Sequence, residues 1–140
     1  MTNLPHTLPA GAENISVAGF NLYAGPFWRL PADDQVYRYM LVVEQKHMNG
    51  SGSLHGGMLM TFADIAMSQT SRAASGATSC STVSLTFDFV GPGRLGDVVE
   101  ARVRVTRKTR TMIFLSADIV SGGVSGDRVL GVATGLWKIV

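Results

Sequence analysis

The chain contains a single cysteine, Cys80, among its 140 residues. One cysteine can form no disulfide framework and no paired-cysteine metal site, and it is typical of a protein from a reducing compartment. No apolar run reaches the about 20 residues that span a membrane, and the first residues lack the basic-then-apolar order of a secretory signal. We therefore expect a cytoplasmic protein that does not associate with membranes.

Charge is also scarce. Only 16% of residues are charged, and the formal net charge is +2, whereas a nucleic-acid-binding domain is usually more basic. Three scattered histidines and few clustered acids do not provide a metal-ligand set. We expect no nucleic-acid partner, no metal and no cofactor. In contrast, 46% of the residues are hydrophobic, which is enough for a sizeable core.

The chain reads as one domain behind an N-terminal segment. Residues 1–14 are rich in Pro, Gly and Ala and predict a mobile arm, so the domain spans residues 15–140. Within it, the aromatic segment 19–30, interrupted by Gly25-Pro26, predicts a short strand. The β-branched and aromatic segment 35–48 predicts another strand.

A helical pattern occupies the middle of the chain, from His55 to about Ser75, and Gly76 is a suitable terminator. At 100° per residue, the apolar residues of this segment fall on one face, which contains Met58, Leu59, Phe62, Ile65 and Ala66.

The second half changes to a period of two. Apolar residues alternate with polar ones from Val83 to Phe89, and again from Val99 to Val105, as in half-buried strands. Two further strand segments follow, at residues 111–120 and 128–139. Polar turns at 107–110 and 121–127 precede them. One helix followed by hairpin-linked strands indicates an α+β fold with the helix on one face of an antiparallel sheet.

Asp64 stands alone on the polar side of the helix. It is the only Asp, Glu, Lys or Arg between Lys46 and Arg72, whereas a solvated helix face usually carries several charges. Small neutral residues surround it, so the pattern favours close approach by another helix or a ligand over a solvated acid.

The helix start has its own chemistry. The first N–H groups of a helix have no intrahelical acceptor and carry partial positive charge, and Gly56 and Gly57 would let a ligand oxygen approach them. A tight entry of the chain into the helix would also explain the two glycines.

The helix start and the lone acid are too far apart to act together within one chain. Gly56 and Asp64 lie about 12 Å apart along the helix and about 80° apart around it. They cannot reach one small reacting centre within one chain, so the acid would have to come from a neighbouring subunit.

The motif Asn-x5-His-Gly-Gly-x6-Asp, formed by Asn49, His55, Gly56, Gly57 and Asp64, resembles that of the hotdog-fold acyl-CoA thioesterases. The phenylacetic-acid-pathway thioesterase and acyl-CoA thioesterase 13 group is the most similar branch. The strand segments "VGPGRLGDVVEARVRV" and "RKTRTMIFLSADI" extend the resemblance toward the C-terminus. It implies a curved antiparallel sheet wrapped around one long central helix, assembled as dimers and often tetramers.

The resemblance also implies roles for individual residues. The Gly56 N–H would polarise the thioester carbonyl, Asp64 of the facing subunit would be general base or nucleophile, and Asn49 would orient substrate or water. His55 would shape the loop, and Gly57 would contact substrate. A hydroxyl residue at the start of the next strand would lie beside the acid; Thr82 is the best match, with Ser81 and Ser84 as alternatives.

One basic cluster remains, formed by Arg102, Arg104, Arg107, Lys108 and Arg110. It is either a solvated sheet edge protected by charge or a dock for the phosphates of coenzyme A; the resemblance favours phosphate contact for Arg107, Lys108 and Arg110. The sequence therefore predicts a homo-oligomeric enzyme that hydrolyses an acyl- or aryl-CoA thioester. A non-catalytic acyl-CoA-binding hotdog protein and a hotdog enoyl-CoA hydratase are the alternatives.

Overall fold

The computed structural model describes residues 7–122 and 127–140. Within these ranges, seven antiparallel strands form one sheet in the order β1-β2-β3-β5-β6-β7-β4. The strands are β1 (Glu13–Asn14), β2 (Phe27–Asp33), β3 (Val36–Val42), β4 (Cys80–Phe89), β5 (Val98–Lys108), β6 (Met112–Gly122) and β7 (Arg128–Ile139). The helices are α1 (Gly19–Ala24) and α2 (Gly56–Ser75), and Gln45–His47 forms a single 3₁₀ turn. The predicted α+β class is confirmed.

The predicted central helix is α2. It begins after His55 and ends at Gly76, which adopts the left-handed conformation with φ 71° and so terminates the helix where a side chain would be strained. Its apolar face contacts strands β3 to β7. Ser71 follows Asp64 by seven residues and so lies on the same side of the helix, but it is fully buried and donates to the Ser68 carbonyl.

The core lies between α2 and the sheet. The Phe62 ring on α2 stacks on Phe27 of β2 with centroids 5.9 Å apart, and Trp137 of β7 is fully buried, with its indole N–H donating to Ser68 Oγ at 2.8 Å. Each such large side chain stabilises the fold by roughly 1.5–3 kcal/mol through burial. These contacts fix the rotation of α2 about its axis, and with it the direction of Asp64.

Two predicted strands differ from the structure. Residues 19–30 contain α1 before β2, so the predicted short strand is right only for the second part of the segment. The strand predicted over 35–48 ends at Val42, and the 3₁₀ turn follows. Local aromatic and β-branched content did not reveal that the chain leaves the sheet at these points.

The N-terminal segment is described only from Thr7; residues 1–6 lie outside the described residues. Leu8 and Ala12 pack on the second face of the sheet, against a cluster around Leu30, Met40 and Val42, and β1 pairs with β2. The mobility of the arm and the domain boundary at residue 15 stay predictions.

Strand β4 lies at the sheet edge and pairs only with β7 among the described strands. The prediction that it is half-buried is wrong for Val83 and Phe89, which are 55% and 56% exposed. A bulge between Thr82 and Ser84 interrupts its register with β7. The edge strand therefore presents apolar side chains that nothing in this chain covers, within the residues described.

The predicted hairpins of the second half are present as β5-β6 and β6-β7. Arg107 and Lys108 belong to the end of β5, so the polar turn lies at residues 109–111 instead of the predicted 107–110. The turn predicted at 121–127 falls largely on residues 123–126, outside the described residues. None of the helices in the described ranges has the length and hydropathy needed to cross a bilayer.

Candidate functional site

The start of α2 leaves one backbone donor free. His55 is the N-cap, and its Nδ1 accepts the Gly57 N–H at 2.8 Å. The Met58 and Leu59 N–H groups donate to the His55 carbonyl. Among the described residues, the Gly56 N–H has no acceptor, so it is the donor available to a ligand oxygen.

The edge strand β4 reaches this helix start. An added Cβ on Gly56 would lie 3.1 Å from the Phe89 ring, which means that the ring already contacts the glycine. Phe89 and Phe87 in turn pack with ring centroids 4.7 Å apart. Sequence reasoning missed Phe89 as a site residue. Its position at the end of the strand that follows the helix could have indicated that it lies near the helix start.

Asp64 lies further along α2 and is half-buried. Thr82 Oγ1 donates to Asp64 Oδ1 at 2.7 Å, whereas no hydrogen bond joins Ser81 or Ser84 to this carboxylate in the part of the chain that the structure describes. One carboxylate oxygen is thereby held in place, and the other accepts no hydrogen bond from the described residues.

The structure does not bring Gly56 and Asp64 together. Both belong to α2, eight residues apart, which corresponds to about 12 Å along the axis. A single carbonyl group bound at the Gly56 N–H is therefore out of reach of Asp64 in the same chain.

Asn49 organises the loop before α2. Its Oδ1 accepts the N–H groups of Ser51 and Ser53 at 2.9 and 3.0 Å, and its Nδ2 donates to Ser53 Oγ. The side chain thus holds the loop that carries His55 to the helix, and one amide N–H is left for any contact with substrate or water.

His47 is a second residue that sequence reasoning missed. It is 2% exposed; its Nε2 pairs with the Ala24 carbonyl at 2.5 Å and its Nδ1 accepts the Glu44 N–H at 2.9 Å. Beside it, Lys46 Nζ donates to the Tyr23 carbonyl at 2.8 Å. Together these two residues bind the last carbonyls of α1, which lack intrahelical donors, and so fix α1 beside the start of α2.

Burial lowers the pKa of His47 from its ordinary value near 6.5, with Lys46 acting in the same direction and the Ala24 carbonyl and Glu44 opposing it. The native state therefore holds the neutral ring, while the unfolded chain takes up a proton near pH 6.5. The free energy of unfolding should be level above that pH and fall as the pH drops toward the native pKa.

Replacing His47 with glutamine should destabilise the protein by about 1–3 kcal/mol at pH 7, because two buried hydrogen bonds are lost. It should also flatten the decline in stability between about pH 7 and 5. Urea unfolding of both proteins across this pH range measures both effects. Equal pH slopes would contradict the role of His47.

The basic cluster divides into two parts. Arg102 pairs with Asp127 at 2.7 Å, and Arg104 pairs with Asp118 at 3.4 Å, as on a solvated sheet face. Lys108 Nζ donates to the Ala74 carbonyl at 3.3 Å near the end of α2. Arg107 and Arg110 are exposed and form no ion pair with a described residue. The basic turn, Arg107, Lys108 and Arg110, thus lies at the opposite end of α2 from Gly56, about 27 Å away along the axis.

Comparison with known proteins identifies the family. The model of the Thioesterase superfamily matches residues 51–125, slightly more than half of the chain, and the matched stretch contains Gly56, Asp64 and Thr82. The chain belongs to the Thioesterase superfamily. Membership of this family supports thioester hydrolysis in general, and the resemblance found in the sequence is confirmed.

Curated relatives support the assignment. A Pseudomonas aeruginosa protein named as an esterase is 33% identical over 117 residues, covering 82% of this chain and 84% of the relative. Acyl-coenzyme A thioesterase 13 of Homo sapiens is 30% identical over 83 residues, covering 56% of each chain. The chain thus spans about half the length of the human enzyme that it matches.

Experimental structures share the fold. The E. coli PaaI protein from the phenylacetic acid degradation operon superposes with a TM-score of 0.74 at 21% identity, covering 84% of this chain and 82% of that one. Zebra fish thioesterase superfamily member 2 gives 0.77 at 20% identity, covering 89% and 88%. At these identities the likeness establishes the hotdog thioesterase fold alone.

Proposed function

We propose that this member of the Thioesterase superfamily hydrolyses acyl-CoA thioesters at a site composed by two subunits. The free Gly56 N–H at the start of α2 carries the proposal, because it can donate to a carbonyl oxygen that gains negative charge as the thioester is attacked. Such a preorganised donor is among the largest contributions to catalysis. The relatives named as esterases and acyl-CoA thioesterases support the substrate class.

Asp64 is the second catalytic group of the proposed site. As general base, its free oxygen takes a proton from water while the water oxygen bonds to the carbonyl carbon; the C–S bond then breaks, and the proton passes to the CoA thiolate. As nucleophile, Asp64 would itself form the bond to the carbonyl carbon; the C–S bond breaks, CoA thiolate leaves and takes up a proton, and water then hydrolyses the resulting anhydride to the free acid and the Asp64 carboxylate. A single turnover in ¹⁸O-labelled water tests the nucleophilic route, since label found in the Asp64 carboxylate shows an anhydride that water opened at the Asp64 carbon, which the general-base route cannot give.

The edge strand β4 offers the route to a composite site. Its exposed apolar residues and unpaired backbone suit pairing with a second copy of the same strand. Thr82 at one end of β4 holds Asp64, and Phe89 at the other end contacts Gly56. Antiparallel pairing about a two-fold axis would set these ends opposite each other and bring Asp64 of one subunit toward Gly56 of the partner subunit. Assembly as a dimer, or as a tetramer of two dimers, is part of the proposal.

A panel of acyl-CoA substrates, assayed by release of free thiol, tests the proposed reaction. Turnover of at least one acyl-CoA is the expected result. Binding of acyl-CoA without thiol release would favour the non-catalytic alternative, and addition of water to an enoyl-CoA would favour the hydratase.

A mixing experiment tests the composite site. Asp64→Ala and Gly56→Pro chains should each be inactive, but their heterodimers contain one site in which both groups are intact. After subunit exchange in equal amounts, half of the dimers are mixed, so the sample should recover about a quarter of wild-type activity. No recovery after exchange verified by mass spectrometry, or a fully active monomer in sedimentation, would contradict the composite site.

The basic turn is proposed to bind the phosphates of coenzyme A. It lies about 15 Å along α2 from Asp64, so it can serve a thioester that this acid attacks at Gly56 of the partner subunit. Phosphate contacts far from the reacting carbon are equal in the ground and transition states, so their loss raises KM and leaves kcat nearly unchanged.

Replacing Arg110 or Lys108 with alanine should therefore raise KM for acyl-CoA about 3- to 10-fold and make KM less sensitive to salt. An acyl-pantetheine substrate, which lacks the nucleotide, should be hardly affected. Arg104→Ala is the matched control, since Arg104 is also an exposed cationic side chain but is paired with Asp118. Equal losses on both substrates would show that the turn is structural.

A further inference from the structure

A groove beside the start of α2 is not explained by the proposed catalytic groups. It has a volume of about 430 Å³, toward the small end of the usual range for ligand pockets. Its walls come from α1, the 3₁₀ turn and the first turns of α2, and its apolar lining consists of Phe20, Tyr23, Ala24, Met48 and Met58.

Two of these wall residues are unusually exposed. Phe20 is 63% exposed and Tyr23 is 78% exposed, although α1 is pinned to the body of the protein through Lys46 and His47. Exposed aromatic rings on a fixed element mark a surface that binds an apolar partner.

The groove borders the proposed reaction centre. His55 and Gly57, the two neighbours of Gly56, both line it. A carbonyl group bound at the Gly56 N–H can therefore extend its acyl side into the groove while its sulfur side faces the partner subunit. Among the described residues, the groove lining contains no carboxylate, and its ammonium group, Lys46, already binds the Tyr23 carbonyl. This part of the chain therefore offers no unengaged carboxylate or ammonium group for an ionic acyl group.

We propose that this groove is the acyl subsite, and that Phe20 and Tyr23 select compact, uncharged apolar acyl groups: a chain of medium length or one that carries a single ring. The proposal rests on the proposed function for the position of the carbonyl group. It adds that the two subunits contribute different parts of each site: one subunit binds the acyl group, and the other supplies Asp64 and the basic turn.

Binding of S-alkyl-CoA thioethers tests the subsite without requiring turnover. By calorimetry, the wild-type protein should bind S-hexyl-CoA more tightly than S-ethyl-CoA, and the ratio of the two affinities should fall about tenfold in the Phe20→Ala/Tyr23→Ala double variant, which loses two apolar walls. Leu22→Ala is the matched control, because Leu22 is on the same helix and 61% exposed but does not line the groove. An unchanged ratio in the double variant, an equal fall in the control, or no binding of either thioether would overturn the subsite.

Thiol release from the matching acyl-CoA series separates the two proposals. Absence of hydrolysis by wild-type protein, with length-dependent thioether binding that the double variant loses, would refute the proposed reaction and leave the subsite supported. Hydrolysis with the same chain-length profile in wild type and double variant would refute the subsite alone.

Discussion

Replacing Asp64 with asparagine is expected to lower kcat for acyl-CoA hydrolysis by about 10²- to 10⁴-fold, the range for a positioned acid–base group. Asparagine has nearly the same shape as aspartate, and its Oδ1 can still accept the hydrogen bond from Thr82 that holds the carboxylate at 2.7 Å. The variant should therefore fold, bind substrate and fail in proton transfer or nucleophilic attack, because an amide performs neither.

Steady-state thiol release measures this loss, and thermal unfolding verifies the fold. Asp88→Asn is the matched control, since Asp88 is an exposed acid on the same edge strand that holds Thr82. The control should retain wild-type kcat. A folded Asp64→Asn protein with wild-type kcat would remove Asp64 from the mechanism.

Replacing Gly56 with proline should lower kcat by about 10²- to 10³-fold, the cost of removing one oxyanion donor. Gly56 is the first residue of α2, where proline is well tolerated in a helix because its missing N–H has no intrahelical acceptor. The substitution thus deletes the free donor and leaves the rest of the helix hydrogen bonding intact.

Gly56→Ala separates the donor from the side chain. Alanine keeps the N–H and adds a Cβ 3.1 Å from the Phe89 ring, which is close enough for the ring to shift by a few tenths of an ångström. The alanine variant should therefore retain most of the wild-type kcat, while the proline variant loses it. Equal loss in both would assign the effect to crowding against Phe89 and would argue against the Gly56 N–H as the oxyanion donor.

The site residues differ in how far the sequence could predict them. The length and start of α2 followed from a period of 3.6 and from glycines at both ends, which are local properties of the chain. The isolation of Asp64 was equally visible, because charge along a helix needs no tertiary information. The edge position of β4 was not visible, since its alternating pattern is the same whether the strand is covered by its own chain, by a second copy or by nothing.

The residue beside Asp64 shows the limit most clearly. Strict alternation from Val83 to Phe89 places Thr82 on the face opposite Phe89, away from α2. In the structure the bulge between Thr82 and Ser84 adds one residue to the strand and turns Thr82 back toward the helix. The hydroxyl residue could be proposed from resemblance, but a bulge depends on how β4 pairs with β7, and no local pattern encodes that pairing.

The sequence by itself determined the fold class, the central helix and the lone acid, because periodicity and charge are properties of neighbouring residues. Tertiary structure decided that Phe89 of β4 contacts the helix start at Gly56, whereas the contact between His55 and the Gly57 N–H is local. It also decided that α1 stands beside α2, because the carbonyls of Tyr23 and Ala24 find their donors in Lys46 and His47, more than twenty residues away. Contacts between residues so far apart in the chain depend on the packing of the whole domain, which no single segment specifies.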